Sequence, residues 1–146
     1  MTTEVTKLVV HHSAAWHDDA DGELRLPTTD EIQAAHLARS MKTTGYHAVI
    51  DRAGRARYFR RIGRAPAANG GGNNAGTYAV CAIGWNGPTA PVEGFEWTPE
   101  QFLALSKFIR AARLLDPNIV VCGHRDLKAT ICPGLDVATR FADVLG

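Results

Sequence analysis

Hydrophobic and polar positions along this chain switch between the strand period and the helix period, and the switches mark out the elements. The run "EVTKLVV" is short, β-branched and bounded by polar residues, which predicts a first strand over Val5–His12. It is apolar on both faces near its end, as in a covered central strand. The polar segment His17–Thr29 reads as a surface loop, and Thr28 with Glu31 then has the spacing of a capping box. Ile32, Ala35, His36 and Arg39 share one helical face, so a helix is predicted over Thr29–Met41. "GYHAVIDRAGRARYF" predicts a hairpin, with strands Tyr46–Asp51 and Arg55–Phe59 around a turn at Arg52–Gly54.

Further along, Asn69–Gly76 is flexible by composition, Thr77–Gly84 reads as a core strand, and Trp85–Trp97 is a Pro/Gly-rich loop. Thr98, Pro99 and Gln101 supply an N-cap, a first-turn proline and a capping-box glutamine. The helix they open presents Phe102, Leu105, Phe108, Ile109 and Ala112 on one face and should stop near Asp116, which precedes Pro117. "NIVVCG" is a short buried strand, "HRDLKATICPG" a loop, and Leu135–Leu145 a last helix. These elements predict a single α/β domain (mixed α+β) over residues 1–146, with a central, mostly parallel or mixed sheet flanked by helices.

Composition narrows the function. A chain of 146 residues that is 45% hydrophobic can bury one core, and a net charge of +1 argues against a nucleic-acid partner held by a strong basic field. One local basic cluster, Arg52–Arg64, is either a solvated strand edge or a patch that meets an anionic polymer. No stretch approaches the roughly 18 apolar residues of a membrane span. The first residues, "MTTEVTKLVV", lack the basic and apolar regions of a secretory leader, so synthesis and initial residence in the cytoplasm are expected. Three cysteines, an odd number, suit thiol or metal roles better than a disulfide framework.

The chemistry-bearing residues gather at predicted strand ends. His124 directly follows a strand and Cys132 comes eight residues later, a spacing that fits two ligands at opposite ends of a loop folded back on itself. One histidine from the pair His11–His12 would complete a His₂Cys set, leaving a fourth tetrahedral position on zinc for water or substrate. Successive strand side chains face opposite ways, so only one of the pair can serve there. Lone histidines and cysteines at strand ends more often serve the core, and spacing alone leaves that choice open.

"VVHHSA", "GYHAVID", "VCAIG" and "GHRDLKATICPG" occur in an order and spacing that resembles the zinc-dependent N-acetylmuramoyl-L-alanine amidases, which include phage lysozyme-like endolysins and the peptidoglycan recognition proteins. The likeness runs from Val9 to about Leu135. It implies that fold, a Zn²⁺ cofactor and a peptidoglycan (muropeptide) substrate. By the same resemblance His11, His124 and Cys132 are the metal ligands, Tyr46 is the active-site tyrosine, and Thr130 stands at a catalytic position where phage enzymes usually have lysine. His36, His47 and Asn69 are expected substrate contacts along the groove, Asn69 standing where the family commonly has histidine. His12 is expected to pack or hydrogen-bond beneath the site. Asp126 either orients the loop or acts as a carboxylate partner of a ligand histidine.

The implied reaction is attack of a zinc-activated water on the amide joining N-acetylmuramic acid to L-alanine, as in a phage endolysin acting on the wall after membrane permeabilisation. A zinc peptidase cutting within the stem peptide, a non-catalytic peptidoglycan-binding module, and a domain that also regulates a host protein are the alternatives. Action as a monomer is expected.

Overall fold

A computed structural model describes residues 4–19 and 21–145. Met1–Thr3, Ala20 and Gly146 lie outside it, and so does part of the stretch on which the leader reading rests. Five strands form the main sheet: β1 (Lys7–His12), β4 (Ala48–Ile50), β5 (Ala56–Tyr58), β6 (Thr77–Ala82) and β7 (Val120–Gly123), in the spatial order β5-β4-β6-β1-β7. β1 runs parallel to both β6 and β7, β4 runs parallel to β6, and only β5 is antiparallel, to β4. The sheet is therefore mixed and mostly parallel, as the alternation of strands with helices implies.

Two apolar layers cover the sheet. On one face Leu8, Val10, Ala48, Ile50, Val80 and Ala82 pack against Leu105 and Ile109 of α2 (Pro99–Leu115) and against Val137 and Phe141 near the C-terminus. On the other, Val49 and Ile83 pack against Ile32 of α1 (Thr29–Ala38). Leu8 and Val10 thus face α2, and the period-two alternation sends Val9 and His11 to the α1 side. Burying side chains such as Leu105 and Ile109 fully stabilises the fold by roughly 1.5–3 kcal/mol each. Among the described residues no helix is long and apolar enough to cross a membrane.

Both capping boxes form: Thr28 accepts from the Glu31 N–H while Glu31 accepts from the Thr28 N–H, and Thr98 and Gln101 do the same. α2 ends at Leu115, with Asp116 already extended before Pro117. α1 stops three residues before the predicted Met41. Ser40 turns left-handed at φ 64°, and the Ser40 and Met41 N–H groups donate to the Leu37 and His36 carbonyls, closing the helix in a Schellman arrangement.

Three other expectations change. The segment read as a surface loop contains a small antiparallel pair, β2 (His17–Asp18) with β3 (Leu24–Arg25). The last helix is two short ones, α3 (Val137–Arg140) and α4 (Ala142–Leu145), separated at Phe141, whose ring is buried. Asn69–Gly76 is pinned by its own amides: Asn74 Oδ1 accepts from the Ala68 and Asn69 N–H groups, and Asn74 Nδ2 donates to the Gly70 carbonyl.

Four of the six arginines in the basic cluster have partners within the fold, although Arg55 and Arg57 stay exposed, as do Arg61 and Arg64. Arg52 donates to the Ile83, Phe95 and Gly94 carbonyls and to Gln101. Arg55 pairs with Asp51, Arg57 with Asp30, and Arg60 donates to the Thr44 and Ala65 carbonyls. Arg52 and Arg60 thus tie loops to the sheet. Cys81, Cys122 and Cys132 are all free thiols.

Candidate metal centre

The register of the sheet builds the site. β1 pairs with β7 so that Val10 lies opposite Gly123, and the next residues, His11 still in β1 and His124 just past β7, stand side by side. Their rings are 4.7 Å apart, centroid to centroid. After His124 the chain makes a 3₁₀ turn (His124–Asp126), in which the Asp126 carboxylate accepts from the Gly123 N–H at 2.8 Å. Asp126 thereby orients the loop, the first of its two expected roles. The loop folds back when the Arg125 N–H donates to the Cys132 carbonyl at 2.7 Å.

Two glycines allow this close return. A Cβ on Gly123 would lie 2.7 Å from Pro133 Cδ, and one on Gly134, at φ 81°, would lie 2.2 Å from the Asn86 carbonyl oxygen.

His11, His124 and Cys132 converge so that one ligand atom from each lies within 4.8 Å of the others. Cys132 Sγ is 3.6 Å from His11 Nδ1. Bonds of about 2.0–2.1 Å to nitrogen and about 2.3 Å to sulfur, at a tetrahedral angle, put two such donors about 3.6 Å apart. His124 also carries a buried Nε2 with no hydrogen-bond partner. Burial, helped by the neighbouring His124, holds the His11 pKa down at about 3, so at neutral pH its imidazole is uncharged and free to coordinate. Burial pushes the Cys132 thiol up to about 12, so a cation is what would turn it into a thiolate. The donor set fits Zn²⁺.

The other candidates separate. Tyr46 stands beside the centre, its ring 5.2 Å from His11 and 5.6 Å from His36. Burial holds its phenol pKa well above the usual value, with Cys81 and Cys132 adding to the effect. Thr130 Oγ1 accepts from the Cys132 N–H at 3.3 Å, which leaves its own proton free to donate. His36 accepts the Gly45 N–H on Nδ1 and lines a cavity of about 390 Å³ together with Ser13, Trp16, Arg39 and Tyr46.

His47 and Asn69 do not line the groove. His47 is wholly buried, with Nδ1 accepting from the Ala79 N–H at 3.0 Å and Nε2 donating to the Arg64 carbonyl at 2.7 Å. Both ring nitrogens are spent on the backbone, so it ties elements together instead of meeting a ligand. Asn69 is equally buried and its Oδ1 lies 2.7 Å from His11 Nε2. The resemblance placed Asn69 at the position where the family commonly has histidine but could not say which way its amide turns.

His12 points to the other side of the strand, where Nδ1 accepts the Asn86 N–H at 3.1 Å and the ring meets the edge of Trp85. Trp16 and Arg39 at the groove were not singled out from sequence. Trp16 follows β1 in a short stretch with no period, and Arg39 showed only its place on the helical face of Ile32 and His36, which does not mark a groove residue.

The family model described as N-acetylmuramoyl-L-alanine amidase matches residues 1–135. An endolysin of Enterobacteria phage K11 is 29% identical over 110 residues, covering 73% of this chain and 70% of the relative. Among solved structures, the amidase LysC from Clostridium intestinale URNW superposes with a TM-score of 0.74 at 21% identity, covering 97% of this chain and 83% of that one. An endolysin of a Thermus scotoductus bacteriophage gives 0.74 at 21% identity, over 100% and 88% of the two chains. Drosophila PGRP-LB gives 0.68 at 21% identity, over 99% and 82%. The structures share the fold, and the family model, spanning most of the sequence including His11, His124 and Cys132, places this chain in the N-acetylmuramoyl-L-alanine amidase family.

Proposed function

We propose that this chain is a zinc-dependent amidase that hydrolyses the bond between the lactyl group of N-acetylmuramic acid and L-alanine in peptidoglycan, acting as a phage lysin. The observation that carries the reading is the convergence of His11, His124 and Cys132, within a chain of this family. Similarity to a phage endolysin supports the lytic setting. A zinc ion held by these three residues supplies Lewis acidity toward the amide carbonyl and lowers the pKa of water.

The chain's own groups handle position and charge. Tyr46, its ring 5.2 Å from that of His11, stands where its phenol can position the reacting water or amide or take part in proton transfer. The Thr130 hydroxyl, held by the Cys132 N–H, aims its proton at negative charge developing on the amide oxygen. Glu31, which also borders the groove, is not a free base: Arg25, above all, holds its carboxyl well below the usual carboxylate range. His36 and Arg39 line the wall on which the substrate lies.

Elemental analysis of purified protein tests the metal. One zinc per chain is expected, lost on Cys132→Ser. Wild-type protein that retains no zinc from zinc-containing medium contradicts the reading.

A further inference from the structure

The Asn69 side chain makes three contacts that belong to one network, and their chemistry allows only one arrangement of protons. Asn69 Nδ2 lies 3.0 Å from the Asn73 carbonyl oxygen. A carbonyl can only accept, so the Asn69 atom facing it must be the amide nitrogen. The second constraint is independent. Thr77 Oγ1 gives its single proton to the Asn74 carbonyl at 2.9 Å, so it must accept from Asn69 Nδ2, 2.8 Å away. A flipped amide would set two acceptors against each other at the first contact and leave the second without a proton.

Asn69 Oδ1 therefore faces His11 Nε2 at 2.7 Å, and an amide oxygen at that distance requires a donor. Asn69 and His11 are 0% and 1% exposed, so water does not compete. The same segment also reaches the second ligand loop, since Asn73 Nδ2 donates to the Leu127 carbonyl at 3.4 Å.

We infer that Asn69 is a positioning residue which fixes His11 as the Nε2–H tautomer, so that the Nδ1 lone pair faces Cys132 and His124 before any metal arrives. A neutral imidazole carries one proton, and with that proton committed to Asn69 the nitrogen 3.6 Å from Cys132 Sγ is left as the donor. Such outer partners set both ring orientation and ligand basicity. A neutral amide does this without adding negative charge, so a dication bound by two imidazoles and one thiolate keeps a net positive charge. The inference rests on the zinc reading only where affinity is concerned.

The test has a metal-free arm and a metal arm. Long-range ¹H–¹⁵N spectra of apo protein labelled at histidine, near neutral pH, should show His11 protonated at Nε2. Asn69→Leu should abolish that single tautomer and weaken zinc binding, measured by chelator competition, by about 10–100-fold. Asn69→Asp keeps the acceptor toward His11 but sets a carboxylate oxygen against the Asn73 carbonyl, so it should cost stability while retaining the His11 Nε2 proton that Asn69→Leu no longer holds. A purely structural role for Asn69 predicts no such difference, with the single His11 tautomer lost in Asp as in Leu. Wild-type apo protein protonated at Nδ1 overturns the inference whether or not Asn69→Leu folds. Failure of wild-type protein to bind zinc sinks the amidase reading but leaves the tautomer result standing.

Discussion

At the scale of the residue, the account turns on two adjacent histidines with different duties. His11 faces Cys132 and His124, while His12 holds the Asn86 backbone on the opposite side. His11→Ala should eliminate stoichiometric zinc and also lower apo stability, because it strands the buried Asn69 Oδ1. His12→Ala should keep zinc but lower stability by about 1–3 kcal/mol, because it strands a buried N–H. Isothermal titration with zinc and chemical denaturation of the apo forms separate the two, and the reverse ranking would mean that His12 is the ligand. Tyr46→Phe removes a donor without disturbing the ligand set. Zinc content should stay at the wild-type level while kcat falls about 100-fold, the scale set by loss of one oriented donor. An unchanged kcat would exclude the phenol from the reaction.

At the scale of the element, the site exists because β1 and β7 are in register and the loop after β7 comes back tightly. Gly123→Ala forces Pro133 away from the strand end and should displace Cys132. A loss of about 1–3 kcal/mol in stability together with weaker zinc binding is expected, and unaltered zinc affinity would show that the loop tolerates the shift.

His47 gives a second check on the elements. Its neutral ring accepts from Ala79 and donates to Arg64, and burial lowers its pKa from 6.5. The unfolded chain then binds the proton more readily, so this contribution is complete above the ordinary histidine pKa and declines as pH falls below it. Apo protein should be less stable at about pH 5 than at about pH 7.5, with a shallower dependence in His47→Asn. A flat wild-type profile would contradict this.

The elements most legible in the sequence are those with local chemistry. Thr28 with Glu31 and Thr98 with Gln101 announce their helices because a capping box is complete within four residues. The β2–β3 pair was illegible because two-residue strands carry no period. The break at Phe141 was equally hidden, since nothing in the local pattern marks it.

At the scale of the molecule, a mixed sheet with helices on both faces follows from the alternation of element types, and the likeness to known amidase folds agrees with it. The site was less legible. The motifs named residues that the fold brings together at one end of β1 and β7, but direction was beyond them: which face His47 takes and which way the Asn69 amide turns depend on partners tens of residues away, Ala79 and His11. A short polar side chain reads alike in sequence whether it meets substrate or a buried ligand.

The most direct test of the central claim is mass spectrometry of products from purified peptidoglycan digested by zinc-loaded protein and by chelator-treated protein. The account predicts intact stem peptides bearing a new L-alanine amino terminus, absent after chelation and restored by zinc. New amino termini inside the stem peptide, or the same products at full yield from metal-free protein, would contradict it.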